Sequence, residues 1–263
     1  MGLIEGNCLD VMPTLEDKSI DLTVTSPPYD NLRNYNGYTF DFKGIAKELY
    51  RVTKDGGVVV WIVGDATIKG SETGTSFKQA LYFKEIGFNL HDTMIYHKSN
   101  AMPLTHNRYD PCFEYMFVFS KGNPKTFNPI KEATLHEGGI KKRELEVKMI
   151  GIKGHQSRHR NEHSIVKKMK YKKNLWSYSV GLEKDRSLNK HPAVFPEKLA
   201  KDHIISWSNE GDTVLDPFAG SGTTLKMAIE LNRKYIGIEI SPEYIKIAKK
   251  RIGQAARVQR FII

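Results

Sequence analysis

The segment Val214-Leu-Asp-Pro-Phe-Ala-Gly-Ser-Gly-Thr-Thr224 constrains this chain more than any other. An apolar, β-branched run ends in an acid. A glycine-rich turn then leads into the helical period of Leu225, Ala228 and Ile229. Gly220 and Gly222 let the backbone approach a ligand closely, and a helix N-terminus adds partial positive charge. Glu239 follows 23 residues after Asp216, at the end of a second strand-like run, Lys234-Tyr-Ile-Gly-Ile-Glu-Ile240. In doubly wound folds an acid at that place accepts hydrogen bonds from ribose hydroxyls. A bare Gly-x-Gly is most simply a tight strand-to-helix turn. A phosphate-binding loop would need Gly-Lys-Ser/Thr, whereas Gly222 precedes Thr223, so nucleoside triphosphate binding is disfavoured.

The same alternation recurs along the chain. Runs 21–25, 57–63, 212–215 and 234–240 read as buried parallel strands. Phe42, Ile45, Ala46, Leu49 and Tyr50 share one helical face. Ser241 and Pro242 open a helix whose Ile245, Ala248 and Ile252 are its buried stripe. Alternating strands and helices predict a parallel sheet covered on both sides. Met94–His97 and Tyr115–Phe119 read as a strand pair beyond that alternation. Residues 125–175 show no clean period, and alternating order returns near Pro196. The expected organisation is one α/β domain built from 1–122 and 179–263, interrupted by an insertion at 123–178.

Charge singles out that insertion. The formal net charge is +10, and residues 141–173 hold 12 Lys/Arg against 3 Asp/Glu. A near-neutral body with one basic segment suggests a polyanion, although a solvated loop would look the same. A chain of 263 residues can bury about three quarters of its extended surface without staples. Two cysteines, Cys8 and Cys112, build no disulfide framework. With no signal-peptide pattern and no apolar run of about 18 residues, a cytoplasmic protein without a membrane partner is expected.

Thr25-Ser-Pro-Pro-Tyr29 directly follows the strand 21–25. Its two prolines fix the backbone and remove two N–H donors, leaving carbonyls free to accept from a ligand. Ser26 adds an oxygen and Tyr29 a flat ring. Alone, the segment reads equally as a proline-terminated strand with a core tyrosine.

Taken together, these segments resemble the amino-directed DNA methyltransferases that use S-adenosylmethionine, and the resemblance covers most of the chain. Asp216–Thr224 resembles the family's cofactor motif, Ser26–Tyr29 its catalytic motif, and Gly237–Ile240 its ribose-binding strand. Asn174–Trp176, His191–Pro196 and Glu114–Lys121 resemble further family blocks. The catalytic motif precedes the basic segment and the cofactor motif follows it, which is the family's beta arrangement. The resemblance therefore implies a circularly permuted Rossmann-like sheet with a basic target-recognition insertion. It also implies that Gly2–Asn7 supplies the strand beside 234–240.

The same resemblance implies the site residues. The target amine falls to Ser26, Pro27, Pro28 and Tyr29. S-adenosyl-L-methionine falls to Asn7, Cys8, His191, Phe195, Asp216, Phe218, Gly220, Ser221, Gly222, Thr223 and Glu239. Asn7 stands where the family commonly has Asp. Duplex DNA is the expected partner, with contacts from Arg33, Arg158, Arg160, Lys167, Lys168, Lys170, Lys172 and Lys173. The segment 31–38 is either a lid over the flipped base or an ordinary surface loop. His155, His159 and His163 are spaced by four but lack an evident fourth ligand, so no metal is expected. Serine at the head of the catalytic motif points to cytosine N4, with adenine N6 the alternative. A catalytically silent nucleic-acid-binding module, and methylation of RNA or protein, are the readings of other classes.

Overall fold

The computed structural model describes residues 2–28, 40–100, 107–134, 140–142, 163–165, 168–179 and 196–260. The chain begins with β1 (Gly2–Glu5), α1 (Cys8–Val11), a 3-10 turn (Met12–Thr14), β2 (Ile20–Thr25), α2 (Phe42–Val52) and β3 (Thr53–Val63). Next come β4 (Thr67–Ile68), β5 (Ser71–Glu72), α3 (Thr75–Glu85), β6 (Asn89–Lys98) and β7 (Phe113–Ser120). Four short strands follow: β8 (Lys131–Ala133), β9 (Ile140–Lys142), β10 (His163–Ile165) and β11 (Met169–Tyr171). The chain closes with β12 (Leu175–Tyr178), α4 (Glu197–Trp207), β13 (Thr213–Asp216), α5 (Thr223–Glu230), β14 (Lys234–Glu239) and α6 (Pro242–Arg260).

Two compact units result: residues 1–128 with 174–263, and residues 129–173. The first unit is built on an eight-stranded sheet in the order β1-β14-β13-β2-β3-β7-β6-β12. Strand β7 runs antiparallel to both its neighbours, and every other pairing is parallel. The first strand lies where the sequence puts it, with Gly2 opposite Ile236 and Glu5 opposite Glu239. The strand pair expected beyond the alternation is the β6/β7 ladder, which runs from Asn89–Ser120 to His97–Phe113. Both boundaries of the expected insertion need correcting: residues 123–128 belong to the first unit. β12 pairs with β6 in the main sheet, so residues 175–178 do not belong to the insertion.

The sheet centre is buried on both faces, which is why Val58–Val63 carries no alternation. On one face Met12, Ile45, Leu49, Trp61, Phe83 and Phe119 form a core under α1, α2 and α3. Asp41 starts α2 by accepting from the Gly44 N–H, which aims Ile45, Ala46, Leu49 and Val52 inward. Leu225, Ala219, Ala248 and Ile252 form a second cluster between α5 and α6. The second unit contains two antiparallel ladders, β8 with β11 and β9 with β10. Each strand is three residues long, too short to print a period on the sequence.

Candidate active site

From β13 the chain crosses through α5 to β14 on one side, whereas β2 crosses through α2 to β3 on the other. The strand order therefore reverses between β13 and β2. Open α/β sheets bind ligands in the crevice outside the carboxyl ends of such a strand pair. The glycine-rich turn leaves the end of β13 and the Ser-Pro-Pro segment leaves the end of β2, so both sequence motifs open on this crevice.

A buried hydrogen bond joins them. Thr25 Oγ1 donates to Asp216 Oδ1 at 2.7 Å, and the Phe218 N–H donates to the same oxygen at 3.1 Å. Thr224 adds a second tie, donating to the Val24 carbonyl at 3.2 Å. Asp216 is 1% exposed. Burial pushes its carboxyl up to about 6, against the hydrogen bonds from Thr25 and Phe218. The folded protein thus binds this proton more tightly than the unfolded chain. The cost of ionising Asp216 is fully present above about pH 6 and is gone below its ordinary value of 3.8. This group alone should lower stability by about 3 kcal/mol as pH rises through that window. Urea midpoints are expected to show it: the stability of Asp216→Asn relative to the parent should improve from pH 4 to pH 7.5.

Glu239 ends β14 and is 8% exposed. Its Oε2 accepts from the Gly220 N–H at 2.7 Å and its Oε1 from the Ser241 N–H at 2.8 Å. Burial pushes this carboxyl up, against those backbone donors. Gly220 and Gly222 have φ of +51° and +79°, the left-handed region that glycine tolerates. β1 reaches the same edge, where the Gly6 N–H donates to the Glu239 carbonyl at 2.9 Å.

Other expected site residues have local partners. The Asn7 side-chain oxygen caps α1 by accepting from the Leu9 N–H at 2.9 Å, which leaves one lone pair for a ligand. Cys8 packs in the core, and burial pushes its thiol up to about 11. The Phe218 ring packs edge-on against Phe40 and Trp61. The hydroxyls of Ser221 and Thr223 lie within 3.1 Å of Arg251 on α6. Ser26 and Pro28 are half-buried, and Pro27 is buried. In the second unit Lys168, Lys170 and Lys173 are exposed and Lys172 is half-buried. Lys170 pairs with Glu132 at 3.2 Å. Tyr29, Arg33, Arg158, Arg160, Lys167, His191 and Phe195 lie outside the described residues, as do His155, His159 and the segment 31–38. Among the described residues no group of three His, Cys, Asp or Glu gathers to hold a metal, and no helix is long and apolar enough to cross a membrane. Thr25, Glu197 and Arg251 were not singled out by the sequence.

Fold and site together define a doubly wound α/β protein with two acids at the ends of adjacent strands and its ligand crevice beside them. The DNA methylase family model for N6 and N4 enzymes matches residues 20–250. The chain is 57% identical over 241 residues to the orphan methyltransferase M.BamHII of Bacillus amyloliquefaciens, covering 90% of this chain and 89% of that one. The PvuII DNA methyltransferase (cytosine-N4-specific) shares the fold with a TM-score of 0.70 at 21% identity, covering 97% of this chain and 91% of that one. The M1.HpyAVI–SAM complex shares it with a TM-score of 0.63 at 24% identity, covering 95% and 98% respectively. The chain belongs to the N6/N4 family of DNA methylases.

Proposed function

We propose that this enzyme transfers a methyl group from S-adenosylmethionine to the N4 amine of a flipped cytosine in duplex DNA. The observation that carries the reading is the Thr25–Asp216 hydrogen bond across the switch point. It ties the acid of the cofactor turn to the residue preceding Ser26. The donor set fits the cofactor: the Glu239 carboxylate suits a ribose diol, Asp216 suits a cationic ligand, and left-handed glycines open the turn. Bound there, S-adenosylmethionine supplies an electrophilic methyl on a sulfonium. The chain order supports a circular permutation, because β13 and β14 come last while β1, which completes that half-sheet, comes first.

The chain's own residues position the nucleophile. The lone pair of an exocyclic amine is delocalised into its ring. Ser26 Oγ and the Pro27 carbonyl each accept one amine N–H, which favours a pyramidal nitrogen with its lone pair aimed at the methyl. Methyl transfer is then in-line displacement, governed by positioning and electrostatics. The amine becomes acidic as it is methylated, so no strong base is demanded. Flipping the base costs a few kcal/mol, and stacking on Tyr29 returns about 1–3 kcal/mol. Serine heading the motif favours cytosine by family resemblance: serine there is associated with cytosine N4, whereas adenine enzymes usually carry Asp or Asn. Label transfer from methyl-labelled cofactor tests the reading: duplex DNA should be labelled and RNA should not. Label confined to RNA or protein would contradict it.

The basic segment supports binding to DNA phosphates. Neutralising Lys167, Lys168, Lys170, Lys172 and Lys173 should flatten the plot of log affinity against log salt by about 0.9 for each phosphate that is no longer neutralised. An unchanged slope would place the DNA on another face.

A further inference from the structure

A buried guanidinium lies beneath the cofactor turn. Arg251 is 1% exposed, and an unpaired buried charge would cost several kcal/mol. Its Nη1 lies 2.8 Å from the Ser221 carbonyl oxygen, 3.0 Å from Ser221 Oγ and 3.1 Å from Thr223 Oγ1. Its Nη2 donates to Glu197 Oε1 at 2.6 Å. Two of the Nη1 acceptors belong to the glycine-rich turn and the third to Thr223, the first residue of α5. One turn earlier on α6, Ala248 already touches that turn: a Cβ on Gly222 would stand 3.0 Å from the Ala248 Cβ. Glu197 opens α4 immediately after the stretch 191–196, and it also pairs with Lys226 of α5. One ion cluster therefore joins α4, α5 and α6 to the turn.

We propose that Arg251, braced by Glu197, is a positioning residue that sets cofactor affinity by holding the Ser221–Thr223 turn in its binding conformation. The inference rests on the cofactor site proposed above. The physical effect is preorganisation: a turn already held in place loses less conformational entropy when the ligand binds. Arginine suits the task because its planar fork reaches acceptors in two directions, whereas a lysine ammonium is a single point charge. The hydroxyls of Ser221 and Thr223 act on the cofactor through this brace.

The test combines calorimetric titration of S-adenosylmethionine with melting curves and steady-state methylation of duplex DNA. It uses the parent, Arg251→Lys, Glu197→Gln and the double variant. Folded Arg251→Lys should bind the cofactor about tenfold more weakly. Its KM for the cofactor should rise in step, while kcat at saturation stays within about twofold. The double variant should lose less affinity than the two single losses combined. Lowered melting temperatures with parental cofactor affinity in both single variants would overturn the proposal and leave Arg251 a packing residue. Should Arg251→Lys fail to fold, Glu197→Gln decides by the same two readouts. A parent that binds no cofactor overturns the site and the brace together. A parent that binds beside unchanged variants overturns the brace alone.

Discussion

Replacing Glu239 by alanine is expected to weaken S-adenosylmethionine binding by about 10–100-fold, the range for losing hydrogen bonds to a charged group. The effect has two parts. The carboxylate is the acceptor proposed for the ribose hydroxyls, and it also receives the Gly220 and Ser241 N–H groups. Removing it takes an acceptor from the ligand and leaves two backbone donors without theirs. The usual conservative change offers little relief. Both oxygens accept from backbone N–H groups, so either orientation of a glutamine amide would set its NH₂ against a donor. Glu239→Gln should therefore fall nearly as far as Glu239→Ala. Calorimetry checks both. A glutamine variant with parental affinity would show that the carboxylate charge and its second acceptor are dispensable.

Replacing Tyr29 by alanine is expected to lower methyl transfer to DNA by about 5–150-fold while leaving cofactor affinity within about twofold. The range is that of a base–aromatic stack, about 1–3 kcal/mol, removed where the flipped ring must be held. The separation follows from the topology. Tyr29 belongs to the segment that leaves β2, whereas Asp216 and Glu239 end β13 and β14. Rates under saturating DNA and cofactor, read beside calorimetry, distinguish the two halves of the crevice. Parental turnover by Tyr29→Ala would move the target pocket elsewhere.

The half of the fold proposed to carry the chemistry is legible because its strands are short, apolar and punctuated. Asp216, Gly220 and Gly222 announce a strand end and a turn. The pairing of β1 with β14 followed from motif order. Helix α3 was missed because its buried face is partly polar: Ser76, Gln79, Ala80 and Phe83 turn inward while Phe77 and Leu81 are exposed. Gln79 accepts from the Trp61 indole at 2.8 Å and Ser76 bonds Asp65, so polar groups do the packing there and no apolar stripe survives. Helix α4 is partly legible, since order returns near Pro196 and Ala200, Ile204 and Trp207 keep a buried stripe, but Asp202, His203 and Ser206 are buried beside it. Arg251 carries no local signal: it is a charge beside the stripe of Ile245, Ala248 and Ile252, yet it is more buried than Ile252. The link between the motifs through Thr25 was not readable. A side-chain bond across 191 residues leaves no local pattern.

The most direct measurement of the central claim is the identity of the methylated nucleoside. The protein is incubated with mixed-sequence duplex DNA and methyl-labelled S-adenosylmethionine. The DNA is then digested, and the nucleosides are separated and identified by mass. The account predicts label in N4-methyldeoxycytidine. Label in N6-methyldeoxyadenosine would overturn the choice of base that rests on Ser26. Label on the C5 carbon of cytosine, or none in DNA, would contradict amine methylation itself.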